Sequence, residues 1–258
     1  MRIDSHVCFS PSHPPEHLQA ILARNRFDGA ILVVDGFPFP ETGPHIAGIL
    51  VRDSGADGHS LDSLQRDSRF RGICASLAHG APTAAEELAR CGLVLPIVQD
   101  TDLRIPTPPE ELARRGLTLD LEMGPADFPA LLQLAERLPN LRMAIDHLAR
   151  PAFHLGPTDE WLHGMESAAR LPNVVCKISG LLAEVTLPWK AEPIRPFVQH
   201  ALAVFGPQRL MFGSEWPVRL PDVTWKESLA AFTQSIGAQT MEAREQLLGG
   251  AAAEFYRL

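Results

Sequence analysis

Eight short apolar runs, separated by stretches of helical periodicity or by turn-rich loops, constrain this chain more than any other feature. They read as strands near Arg2–Cys8, Gly29–Val34, Ile46–Val51, Arg71–Leu77, Leu117–Glu122, Arg142–His147, Val174–Ser179 and Arg209–Gly213. Runs rich in Val, Ile and Leu that alternate with amphipathic helices are the pattern of βα units and a parallel sheet. The 258 residues sit close to the roughly 250 of a (β/α)8 barrel, so the expectation is α/β: one TIM-barrel domain over 1–258. A ninth run, Leu93–Val98, contains Pro96, which would remove a ladder donor from a central strand, and it is taken as surplus.

Local signals agree with this frame. Thr107 with Glu110 forms a capping-box pattern, and Pro108 suits a first helical turn. Asp127 and Thr158 are expected N-caps for helices over 128–138 and 159–170. The Pro-rich segments Phe37–Pro44 and Ile105–Pro109 read as loops inside the domain. Glu87–Leu93 echoes Glu111–Leu117, but two copies do not make a repeat architecture.

Composition narrows the function. Hydrophobic residues make up 45 %, and no apolar run approaches the roughly 20 residues of a membrane span. The net charge of −8, without a Lys/Arg cluster, argues against nucleic acid as a partner. A strand signal begins within two residues of Met1, which leaves no room for a signal peptide and gives a cytoplasmic expectation. Cys8, Cys74, Cys91 and Cys176 lack paired spacing, so free thiols are expected, with Cys91 and Cys176 as packing residues.

Titratable groups gather where the strands end. Period-2 alternation places His6 and Cys8 on one face of the first strand; His147 ends the sixth; and Glu215 follows the eighth in Gly213-Ser-Glu-Trp-Pro217. The C-terminal ends of barrel strands are where such folds carry chemistry. Lys177 shares a face of the seventh strand with Ser179; a lysine inside a barrel needs an acid, with Glu122 or Glu215 the expected partner. His13, His17, His45, His59, His154, His163 and His200 fall in loops or on helix faces and receive no role.

These motifs, in order, resemble the amidohydrolase-2 family, and within it the branch of lactonases. The likeness runs over Ile3-Asp-Ser-His-Val-Cys-Phe9, Phe70-Arg-Gly-Ile73, Leu117–Leu121, Asp146-His-Leu-Ala-Arg-Pro151, Cys176-Lys-Ile-Ser-Gly-Leu181, Met211-Phe-Gly-Ser-Glu-Trp-Pro-Val218 and the ending Leu248–Leu258. Three positions depart from the family pattern: Cys8 stands for a second histidine, Cys74 for an arginine, and Glu215 for the aspartate of the eighth strand.

The resemblance implies hydrolysis of a small lactone, sugar-derived or carboxylated, by water attack. Glu215 would be the general base, with His6 and His147 polarising the carbonyl. Arg150 would hold an anionic substrate in bidentate fashion, with Trp216 and Lys177 as further substrate contacts. No cofactor is required in the first reading. In the alternative, one zinc ion is held by His6, Cys8, His147 and Glu215, whose side-chain types all ligate zinc. Rival readings are a metal-dependent decarboxylase or amide hydrolase, and a degenerate barrel that only binds a ligand. Homo-oligomerisation is compatible with either class.

Overall fold

The computed structural model describes residues 1–8, 15–35, 45–52, 60–76, 107–183, 185, 187–218 and 222–258. Eight strands lie in sequence order, each parallel to the next: β1 (Ile3–Cys8), β2 (Gly29–Val34), β3 (Ile46–Arg52), β4 (Phe70–Ser76), β5 (Thr118–Glu122), β6 (Arg142–Ile145), β7 (Val174–Ile178) and β8 (Leu210–Phe212). The sheet curls into a nearly closed barrel. Across the seam, Glu215 N–H donates to His6 O at 2.8 Å, Cys8 N–H to Trp216 O at 2.9 Å, and the Ser5 hydroxyl to Phe212 O at 2.7 Å.

Alternation sorts the strand residues into two environments. Leu119, Leu121, Met143, Ile145, Val174, Cys176 and Ile178 pack outward against helices, among them Phe128–Arg137, Asp159–Ala169 and Arg195–Phe205. Ile3, Ile31, Leu50, Cys74, Ala144, Val175 and Met211 form a separate interior cluster with Phe255 and Tyr256 of the last helix, Ala251–Tyr256. That helix plugs the N-terminal end of the barrel, where Arg142 donates to Phe255 O. The plug leaves the C-terminal ends of the strands as the open face.

One irregularity sets the phase of β1. Its register to β2 shifts between Asp4 and Val7, so Ile3 belongs to the interior cluster while Val7 joins the outer one. A bulge re-aims the side chains that follow it. His6 therefore faces the barrel axis, and Asp4 stays outside to accept from Ser214 N–H at 2.9 Å and Trp225 Nε1–H at 2.7 Å.

Several local expectations change. The helix Pro109–Arg115 has Pro108 at its N-cap with no side-chain cap bond, because Pro109, not Pro108, takes the first turn. Asp127 precedes Phe128–Arg137, but its carboxylate accepts from Gly124 N–H at 2.8 Å and holds the preceding 3-10 turn instead. Thr158 caps Asp159–Ala169 as expected. The sixth strand stops at Ile145, since His147, Leu148, Ala149 and Arg150 all adopt positive φ. Leu93–Val98, Glu87–Leu93, Cys91, His13, His59 and most of the two Pro-rich loops lie outside the described residues.

Candidate active site

The left-handed run after β6 is the first element of the site. Four consecutive non-glycine residues with φ between 45° and 59° are costly, about 1–2 kcal/mol each, because Cβ crowds the following carbonyl. Tertiary contacts hold them: Arg150 N–H closes the turn on His147 O at 2.9 Å, and Trp161 Nε1–H donates to Leu148 O at 2.7 Å. The turn swings His147 back over the barrel mouth and sends Arg150 into the adjoining cavity.

Beneath His147 lies a buried polar layer. Lys177 Nζ, with no exposure, sits 2.5 Å from Asp120 Oδ2, 2.8 Å from Asp146 Oδ1 and 3.2 Å from His6 Nδ1. Burial opposes its charge, but Asp120 and Asp146 outweigh that and hold Lys177 as an ammonium well above its ordinary range. The partners are thus Asp120 and Asp146, not the expected Glu122 or Glu215, because Lys177 lies below the strand ends at the level of Asp120. Tyr256 completes this layer by donating to Asp120 Oδ2.

This contact fixes the tautomer of His6. An ammonium has three donors and no acceptor, so Nδ1 must accept from Lys177 and the ring proton sits on Nε2. The nearest acid oxygen, Asp146 Oδ2, lies farther away at 3.5 Å. Burial, and after it the positive charge of Lys177, push the His6 pKa well below the usual imidazole range, so the ring is neutral. Nε2 itself is buried without a hydrogen-bond partner.

His147 faces His6 edge-on, with ring centroids 4.7 Å apart. Its Nδ1 is 2.9 Å from Ser179 Oγ, and its Nε2 is 3.5 Å from Glu215 Oε1. Burial, then Arg150 and Lys177, keep it neutral as well. Gly180 leaves room for this ring: at φ 64°, a Cβ there would lie 2.9 Å from His147 Nδ1.

Glu215 hangs from the β8 exit at φ 59°, its N–H bonded to His6 O. Burial raises its pKa to about 7 despite the opposing charge of Arg150. Glu122, only 10 % exposed, is flanked by Arg150 Nη2 at 3.1 Å and Arg52 Nη2 at 3.5 Å. Cys8 stays a thiol, since burial pushes it up to about 12.

His6, Glu122, Asp146 and His147 each offer a ligand atom within 4.8 Å of the others, a group that could hold a metal ion. Two imidazoles and two carboxylates suit zinc, and the unpartnered Nε2 atoms of both histidines fit such a role. Ligation through His6 Nε2 would displace the proton that Lys177 places there. This group shares His6 and His147 with the sequence-based set; it contains Glu122 and Asp146 where that set has Cys8 and Glu215. The alternation of Leu117, Leu119 and Leu121 with Thr118, Asp120 and Glu122 carried a signal for that. In a barrel the leucines go to the helices and the polar set to the axis.

A cavity of about 760 Å³ opens beside His147, Arg150 and Glu215. Trp216, 7 % exposed, lies on the other side of Glu215, lining a small cleft with Val223 and Trp225. No helix among the described residues is long and apolar enough to cross a membrane.

A barrel with histidines and acids at these strand ends belongs, as a class, with the TIM-barrel hydrolases. The chain is a member of the amidohydrolase family, whose Amidohydro_2 model matches residues 3–258. It is similar to a protein named L-fucono-1,5-lactonase from Burkholderia ambifaria, 31 % identical over 95 % of this chain and 85 % of that one. In fold it is similar to an amidohydrolase from Burkholderia multivorans with bound zinc, at a TM-score of 0.74 and 24 % identity over 100 % of this chain and 99 % of that one. A probable 2-pyrone-4,6-dicarboxylic acid hydrolase from Acinetobacter baumannii, with citric acid bound, aligns at 0.73 with 15 % identity, over 100 % and 99 % of the two chains.

Proposed function

We propose that the protein hydrolyses a small lactone, with Glu215 as general base. The observation that carries this reading is a carboxylate, 12 % exposed, that stands 3.5 Å from a neutral histidine at the mouth of the cavity. The name of the Burkholderia ambifaria relative supports the same reaction class.

In this reading, Glu215 takes a proton from a water molecule as its oxygen adds to the lactone carbonyl carbon. The carbonyl oxygen becomes an oxyanion beside His147, which lines the cavity, with the buried His6 Nε2–H, whose orientation Lys177 sets, adding its dipole from behind. The ring C–O bond then breaks, and protonated Glu215 returns its proton to the leaving alkoxide, giving a hydroxy acid. Arg150, with one amino group on Glu122 and 46 % of its side chain exposed, offers its remaining donors to a substrate carboxylate. Buried Lys177 acts as a positioning residue for His6, and Trp216 as a prop for the Glu215 loop.

A zinc-dependent version has one observation in its favour, the group of His6, Glu122, Asp146 and His147. Bound there, the ion would polarise the substrate carbonyl as a Lewis acid. The test is proton release over a panel of lactones before and after chelation, with Glu215→Gln in parallel. Turnover that survives chelation and falls at least about a hundredfold in the variant is expected. Turnover abolished by chelation and restored by zinc would replace the metal-free reading, and unchanged turnover in the variant would remove Glu215 as base.

A further inference from the structure

The cavity beside Glu215 is much larger than a lone lactone ring, and its walls differ along its length. Its volume of about 760 Å³ falls within the roughly 300–1,000 Å³ of sites that enclose drug-sized ligands. The end at the barrel carries His147, Arg150 and Glu215. Beyond them the wall is Phe153, Val185, Leu187, Pro188 and Pro193, with Lys190 and His154 among them.

The described part of this outer wall is mostly apolar, with His154 and Lys190 as its polar side chains, and favours carbon over hydroxyl groups along most of its length. Among the described residues that line it there is no Ser, Thr, Asn, Gln, Tyr or Asp. A sugar hydroxyl moved from water against proline and aliphatic carbon loses hydrogen bonds that nothing on these side chains returns. A hydrocarbon chain gains there, because Leu187 holds 41 % of its surface open and would cover it against the chain. Among the described lining residues, the charged side chains other than Glu215 are cationic: Arg150 and Lys190.

From this we infer that the substrate is a lactone with a hydrocarbon arm ending in an anionic group, rather than a polyhydroxylated sugar lactone. The inference rests on the lactonase reading and names its substrate class. The ring sits at Glu215, the arm lies along Val185, Leu187 and Pro188, and the anionic end meets Lys190. It separates this chain from what its relative's name describes.

The experiment compares kcat/KM for three lactones of one ring size: polyhydroxylated, alkyl-substituted, and substituted with an ω-carboxyalkyl arm. The alkyl lactone is expected to exceed the polyhydroxylated one by at least about tenfold, the scale set by apolar pocket contacts. Leu187→Asp, a change at a half-open side chain, is expected to erase that preference. Lys190→Ala is expected to lower the carboxylated lactone about threefold relative to the alkyl one, as befits an exposed ion pair. Faster turnover of the polyhydroxylated lactone, or equal losses on all three in Leu187→Asp, would overturn the inference while leaving a Glu215-dependent lactonase in place. Should no lactone be hydrolysed, the lactonase reading fails, and calorimetry with nonanedioate decides the pocket. Binding that weakens in both variants upholds an arm-and-anion site; no binding, or binding unmoved by Leu187→Asp, overturns it.

Discussion

Replacing Lys177 with methionine tests the buried layer on which the site is built. The change keeps the stem nearly isosteric and removes only the ammonium. Asp120 and Asp146, both without exposure, then lose a partner at 2.5 Å and 2.8 Å. Breaking a buried ion pair by removing one member costs about 3–5 kcal/mol, mostly from the charge left behind. The position cannot recover this from solvent, since the Ala251–Tyr256 helix closes one end of the barrel and His6 and His147 cover the other. The assay is urea unfolding with linear extrapolation at neutral pH. The loss is expected to shrink as pH falls, because protonation removes the unpaired negative charge from the folded state. Lys177→Met with Asp120→Asn is expected to recover part of it. A loss below about 1 kcal/mol, the range of exposed pairs, would refute the reasoning.

Three further outcomes follow from the same geometry. Gly180→Ala forces the His147 ring to move by about half an ångström or more from a Cβ at 2.9 Å, so kcat is expected to fall by up to about a hundredfold; Gly156→Ala, at φ 78° with nothing near its Cβ, controls for backbone strain and should spare kcat. Asp4→Ala strands the buried donors of Ser214 and Trp225, and chemical denaturation should show about 1–3 kcal/mol lost for each. Elemental analysis of protein purified without added metal is expected to find far less than one zinc per chain, because Lys177 already places a proton on His6 Nε2.

The barrel was legible because its signal is repetitive. Each strand needs only a short apolar run with a helix after it, and eight in succession leave few other architectures. The strand-end rule likewise pointed to His6, His147 and Glu215, which the structure gathers at one mouth. What the sequence hid were contacts set by depth and phase. The β1 bulge that turns His6 inward while Asp4 stays outside leaves no mark in Ile3-Asp-Ser-His-Val-Cys8. The level of Lys177 along the axis, which pairs it with Asp120 and Asp146, depends on barrel stagger rather than on residue type. The left-handed turn after Ile145 has no glycine to announce it, since packing around Trp161 and Arg150 imposes it. Glu122 and Asp146 are plain in the sequence as acids at strand ends, but only the folded barrel brings their oxygens within reach of His6 and His147.

The most direct test of the central claim is the pH dependence of kcat/KM on a hydrolysed lactone, for the native enzyme and Glu215→Gln. Burial raises the Glu215 pKa to about 7, and a general base acts only when ionised. Activity is therefore expected to be present above that value and to fall tenfold per pH unit below it. The variant should lose both the rate and the inflection. An inflection near 7 that persists undiminished in Glu215→Gln would contradict the account, and so would a native profile that stays flat through that range.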